Sequence, residues 1–131
     1  MNSTSPPPVL PPSPRGTILF AHGSRDPLWR KPIETVAQTI ARLDPEGQVS
    51  CAFLELCEPD LPTCVDHMVA SGALQLTVVP MFLGVGKHAR EDLPVLMQAL
   101  KERHPQVSFI LKAAIGEEPQ LIELMARLAI A

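Results

Sequence analysis

Charged side chains are scarce: Asp, Glu, Lys and Arg make up 19% of the 131 residues. The 11 Lys and Arg are outnumbered by 14 Asp and Glu, giving a formal net charge of -3. A chain without a basic excess offers no field to a phosphate backbone, so bulk nucleic-acid binding is excluded as its main role. Cysteine is sparse as well. Cys51, Cys57 and Cys64 form an odd set with no CxxC pair, whereas small secreted scaffolds carry even, dense sets. That pattern excludes a disulfide framework or a zinc finger and implies a reducing, cytoplasmic setting. No run of 18 apolar residues occurs, so no membrane-spanning helix is expected. The N-terminal MNSTSPPPVLPPSPR has no basic segment followed by an apolar one and does not read as a signal peptide. Neither GxxxxGK[ST] nor GxGxxG is present, and no GxSxG surrounds Ser24. The loops that cradle nucleotide phosphates and the elbow of a serine nucleophile are therefore missing.

Apolar residues are ample at 46%, enough for the core of one domain. Six of the 15 prolines fall within residues 1–14. Proline removes backbone donors and favours extended structure, so residues 1–14 read as a disordered tail and residues 15–131 as a single domain.

Strand and helix patterns alternate through that domain. GTILFAH (16–22) is an apolar run feeding the turn HGSRDP. Ile33, Val36, Ala37, Ile40 and Ala41 then recur at helical spacing over Pro32–Leu43. VSCAFLEL (49–56) reads as a second strand and Leu61–Ser71 as a helix, with Asp60 as its cap and Gly72 as its stop. LQLTVVPMFL (74–83) is a third strand whose ladder ends near Val79, because Pro80 has no N–H to donate. The apolar loop Pro80–Gly86 precedes a helix from His88 to Lys101. VSFILKA (107–113) and a helix over Pro119–Ala129, with Leu121, Leu124, Met125 and Leu128 on one side, complete the chain. Continuous apolar strands alternating with helices specify a three-layer α/β/α sandwich with a four-stranded parallel sheet. Ligands of such folds bind beyond the carboxyl ends of the strands, where strand order switches.

Three ionisable residues fall at those ends. His22 closes the first strand, Glu55 sits inside FLEL at the end of the second, and His88 follows the third. Neutral imidazole and carboxylate are ligands for Fe, Co, Ni or Zn dications, and the same groups move protons near neutral pH. Each also has a structural alternative. A histidine can cap or hydrogen-bond at the surface, and Glu55 can pair with Arg25 or Lys87. Arg25, Lys87 and Arg90 flank the same edge and can bind substrate carboxylates. The segment containing Phe82, Leu83 and Gly84 is too apolar for an ordinary loop. It forms a wall for a flat apolar ligand, a surface covered by a partner subunit, or a continuation of the core. His67 and His104 lie away from the strand ends and read as structural or solvent-facing. Trp29 fills a gap beside the first helix or covers a ligand.

ILFAHGSRDP, AFLELCEPDLP and VVPMFLGVGKHAREDLP, in that order, resemble the signature segments of the small CbiX/SirB-type sirohydrochlorin chelatases, the class II ATP-independent tetrapyrrole chelatases. The resemblance covers residues 16–130 and leaves out the proline-rich tail. It implies a chelatase-like, flavodoxin-like half-unit. It also implies insertion of a divalent metal, cobalt first with iron or nickel as alternatives, into sirohydrochlorin, without ATP or nucleotide. By motif, His22, Glu55 and His88 become the metal ligands and catalytic residues. Arg25, Lys87, Arg90, Phe82, Leu83 and Gly84 border the macrocycle. Half-length members pair as homodimers, which fits a substrate large for one unit. A carrier of metal or tetrapyrrole without turnover is the rival reading.

Overall fold

The computed structural model describes residues 14–131. The expected tail lies outside the described residues except for Pro14, and Pro14 belongs to the fold. Its carbonyl accepts the N–H groups of Leu74 (2.7 Å) and Gln75 (3.1 Å).

The elements run β1 (Arg15–Ala21), α1 (Lys31–Leu43), β2 (Gln48–Phe53), α2 (Leu61–Ala70), β3 (Gln75–Pro80), α3 (Lys87–Arg103), β4 (Ser108–Leu111), a short 3-10 turn (Ile115–Glu117) and α4 (Pro119–Ile130). The strands form one sheet in the order β2-β1-β3-β4, and every neighbouring pair is parallel. Two strands differ from expectation. β2 stops at Phe53 rather than reaching Leu56, and β4 has four residues rather than seven. Pro80 remains in β3 opposite Phe20, a position at the strand's last residue, where its missing N–H interrupts nothing beyond.

Alternation along the strands builds two apolar layers. Ile18, Phe20, Ala52, Leu76 and Val78 face one side, against Leu61, Cys64, Val65 and Met68 of α2 and Leu93, Met97 and Leu100 of α3. Leu19, Ala21, Phe53 and Val79 face the other side, against Ile33 of α1 with Ala37 and Ile40 half-buried. Each fully buried side chain of this size contributes about 1.5–3 kcal/mol relative to exposure, so the α2–α3 side carries most of the stability. The α1 side is thin. No residue of α4 is buried, and the expected stripe of that helix is only half covered: Leu121 and Met125 are half-buried, whereas Leu124 is 52% and Leu128 68% exposed. β4 likewise leaves Ile110 and Leu111 exposed.

Local chemistry sets the helix ends as the sequence suggests. Asp60 has extended backbone, and its carboxylate accepts the Thr63 N–H at 2.8 Å. Hydrogen bonding by Thr63, through side chain and then backbone, holds the Asp60 carboxyl below the usual aspartate range. Gly72 ends α2 at φ +102, a left-handed conformation that favours glycine. Cys51, Cys57 and Cys64 are unpaired, and burial pushes the Cys64 thiol up to about 11. Among the described residues no helix is long and apolar enough to cross a membrane.

Asp60→Ala should cost about 1 kcal/mol at neutral pH, a drop of several degrees in Tm. Because the folded carboxyl is depressed, the cap is fully effective above the ordinary aspartate value of about 4. Its contribution is lost as pH falls through the lower folded value, so the wild-type and variant melting curves should converge in acid. Equal Tm at pH 7 would contradict the cap.

Candidate active site at the strand ends

The sheet order creates one switch point. From β1 the chain leaves through α1 on one face, and from β3 it leaves through α3 on the other. The crevice therefore opens between the carboxyl ends of β1 and β3. His22 comes directly after β1, and His88 is the second residue of α3. Both are exposed. The His22 ring lies 4.2 Å, centroid to centroid, from the Phe82 ring at 36°.

His88 borders a cavity of about 510 Å³. Phe20 and Phe82 line it, with Leu54, Leu93, Leu96 and Asp92 around them. Phe82 is only 3% exposed, so this residue of the apolar loop is a floor, whereas Leu83 is 71% exposed. Gly84 is exposed beside it. The loop is pinned from beneath: Gly116 donates its N–H to the Phe82 carbonyl at 2.9 Å. A Cβ on Gly116 would lie 2.1 Å from the Leu83 carbonyl oxygen, so only glycine permits that approach.

Glu55 lies two residues past β2, in an exposed bend. The expectation that it sits within an apolar strand is corrected by this placement, and with it the cost of burying an unpaired carboxylate. No ion pair to Arg25 or Lys87 forms among the described residues. The bend is nevertheless fixed to β1. Leu54 N–H donates to the Ala21 carbonyl at 2.9 Å, and Glu55 N–H to the His22 carbonyl at 3.0 Å. Gly23, at φ +98, is what admits this contact, since a Cβ there would come within 1.8 Å of the Glu55 carbonyl oxygen. Leu56 adopts φ 68, an unusual left-handed conformation for a branched side chain.

Glu55 borders a second cavity of about 810 Å³ that also touches Leu54, Cys57, Glu58, Asp60 and His67. Leu54 lies between the two cavities. His67, expected away from the strand ends, thus shares a wall with Glu55. His104 is structural as expected: its Nε2 is 2.8 Å from Asp66 Oδ1. Trp29 is half-open and tilts over Phe53 at 6.2 Å. Arg25 and Lys87 are exposed, and Arg90 donates to the Val85 carbonyl at 3.3 Å.

His22, Glu55 and His88 therefore rim one edge of the sheet. Among the described residues, however, no three His, Cys, Asp or Glu side chains are drawn together closely enough to hold a metal ion. The arrangement offers two imidazoles on either side of a crevice, a carboxylate on the neighbouring loop, an apolar floor and three nearby cations. Three residues escaped the sequence reading as contributors. Leu54 and Leu56 present exposed apolar surface beside Glu55, and FLEL hinted at this only as strand. Gly23 is the third, because its missing side chain seats the Glu55 loop.

The fold and the sequence have known counterparts. A sirohydrochlorin cobaltochelatase of Methanopyrus kandleri is 35% identical over 80 residues, covering 61% of this chain and 56% of the relative. That of Methanococcus aeolicus is 31% identical over 88 residues, covering 66% of this chain and 62% of the relative. The matched region thus spans about six-tenths of the length of these relatives. A crystal structure of a CbiX protein from Marinobacter aquaeolei, named for cobalamin biosynthesis, superposes with a TM-score of 0.75 at 34% identity. That match covers 88% of this chain and 93% of the other. SirB of Bacillus subtilis subspecies spizizenii shares the fold at 24% identity with a TM-score of 0.72, and this chain covers 50% of it. The family model described as CbiX matches residues 16–130, and on that match the chain belongs to the CbiX family.

Proposed function

We propose that this protein inserts a divalent metal into sirohydrochlorin, with cobalt the first choice and iron or nickel as alternatives. The observation that carries this reading is the pair of imidazoles, His22 and His88, set on opposite sides of the switch crevice beside an apolar cavity. The likeness to two cobaltochelatases above 30% identity favours cobalt. Imidazole and carboxylate donors alone do not discriminate among these metals.

In this reading the macrocycle lies over Phe82, Leu83, Gly84 and Leu54, and its rim carboxylates meet Arg25, Lys87 and Arg90. His22 and His88 ligate the incoming metal from one side of the ring, and Glu55 assists from its loop. Pyrrole nitrogens replace protein and water ligands in turn. One dication enters and two pyrrolic protons leave, taken up singly by Glu55 and by a histidine freed as the ring takes over the metal, so charge balances without ATP or a redox partner. The protein supplies orientation and removal of water from the metal.

We further infer a homodimer. Support comes from Leu124 and Leu128, exposed on α4, and from an open cavity of about 490 Å³ on the α1 side, with Leu19, Ile40, Val79, Met81 and Ile115 in its wall and Thr17, Lys112 and Glu118 beside them. Each chain thus carries a half-covered amphipathic helix and a largely apolar groove, and a second copy satisfies both reciprocally. The 12-residue helix is about 18 Å long and ~10 Å across. Two such dockings would remove on the order of 1,000 Å² from water, the lower end for a specific interface.

Insertion kinetics on sirohydrochlorin with Co²⁺, Fe²⁺ and Ni²⁺ test the activity. His22→Ala and His88→Ala should each slow insertion by roughly a hundredfold, and Glu55→Gln should keep the fold while weakening metal use. Tight binding with no acceleration over the spontaneous reaction would make the protein a carrier instead. For the dimer, Leu124→Asp with Leu128→Asp should give a folded monomer in sedimentation equilibrium with lower activity per chain. A wild-type protein that is monomeric while fully active would contradict it.

A further inference from the structure

We propose that Arg30 is a positioning residue for Glu55, clamping the base of the loop that carries it. This rests on the reading of Glu55 as a metal ligand. The loop leaves the sheet at Phe53 and returns at Pro59, where the Phe53 N–H donates to the Pro59 carbonyl at 2.9 Å. Arg30 grips both stems of that closure. Its guanidinium carbon stands 4.6 Å from the centre of the Phe53 ring, and its Nη2 donates to the Glu58 carbonyl at 3.4 Å.

The clamp is itself held from α1. Arg30 occupies the N-cap position of that helix without a side-chain capping bond, and its Nε lies 2.9 Å from Glu34 Oε1. That Nε is shielded from solvent and its N–H is not aimed at an acceptor, so the Glu34 contact is an ion contact rather than a hydrogen bond. A planar guanidinium can stack on a ring and donate in its own plane at once, which an ammonium cannot do. Phe53 is 1% exposed and anchored in the core. Arg30 therefore couples the buried strand end at Phe53, two residues from Glu55 on one stem, to Glu58, three residues from it on the other.

The test compares Arg30→Met, Arg30→Lys, Glu55→Gln and the Arg30→Met/Glu55→Gln double variant. Met keeps the aliphatic cover over Phe53 and removes the stack and the donor. In insertion assays Arg30→Met should raise the KM for Co²⁺ roughly tenfold, as loss of support behind a ligand does, with the KM for sirohydrochlorin unchanged. Added to Glu55→Gln it should cause no further loss. In amide exchange, Leu54 and Glu55 should lose protection in Arg30→Met while α2 keeps its own. Arg30→Lys should behave like Arg30→Met, and full rescue by Lys would assign the effect to charge and overturn the clamp. Unchanged exchange at Leu54 and Glu55 in Arg30→Met would overturn it too, as would a full Arg30→Met penalty in the Glu55→Gln background. A Glu55→Gln variant with normal Co²⁺ KM would instead defeat the ligand reading, while the exchange data still decide the clamp.

Discussion

The double pairing of β1, with β2 on one side and β3 on the other, determines where every polar side chain of the site can go. Because both pairings are parallel and in register from Gly16 to Phe20, the strands end at one edge. Parallel strands need crossovers, and the crossovers from β1 and β3 depart on opposite faces. The loops after these two strands are thereby held apart, and His22 and the start of α3 stand across the gap. Nothing in this arrangement requires a dedicated binding domain.

The same pairing explains how exposed side chains at this edge can still be ordered. The hydrogen bonds from Leu54 to Ala21 and from Glu55 to His22 continue the β1–β2 ladder past the end of the strand. Gly23 leaves room for that continuation, and Arg30 closes the loop from below. Each contact is modest alone, about 1 kcal/mol for an ordinary hydrogen bond, yet together they fix a backbone whose side chains project into solvent. The core beneath is asymmetric. The face under α2 and α3 is complete, whereas the face under α1 ends in open apolar surface.

Most of the fold was legible in the sequence because its signals are strong and local. Apolar runs of strand length alternate with helical stripes, and Asp60 and Gly72 mark the ends of α2 where expected. Strand order was not legible, since nothing in a single chain says whether β2 pairs outside β1 or beyond β3. Two strand limits were misread because FLEL and VSFILKA are apolar, and apolarity does not separate a strand from an exposed apolar loop. Glu55 shows the consequence: its position at the edge was foreseen, but its loop was not. The fate of α4 could not be read either. An amphipathic stripe states that a helix is covered, not whether its own chain covers it. His22 and His88 were legible from their places after strands, whereas the roles of Gly23 and Arg30 depend on contacts across 20 residues or more of chain.

The central claim is that His22 and His88, aided by Glu55, receive the metal at the β1–β3 crevice. A crystal structure of the protein soaked with Co²⁺, phased at the cobalt edge, tests this most directly. The account predicts a cobalt peak in the crevice with imidazole nitrogens of His22 and His88 at about 2.0–2.2 Å, near the distances of comparable dications. Cobalt bound instead in the cavity beside His67 and Cys57, with the crevice empty, would contradict it.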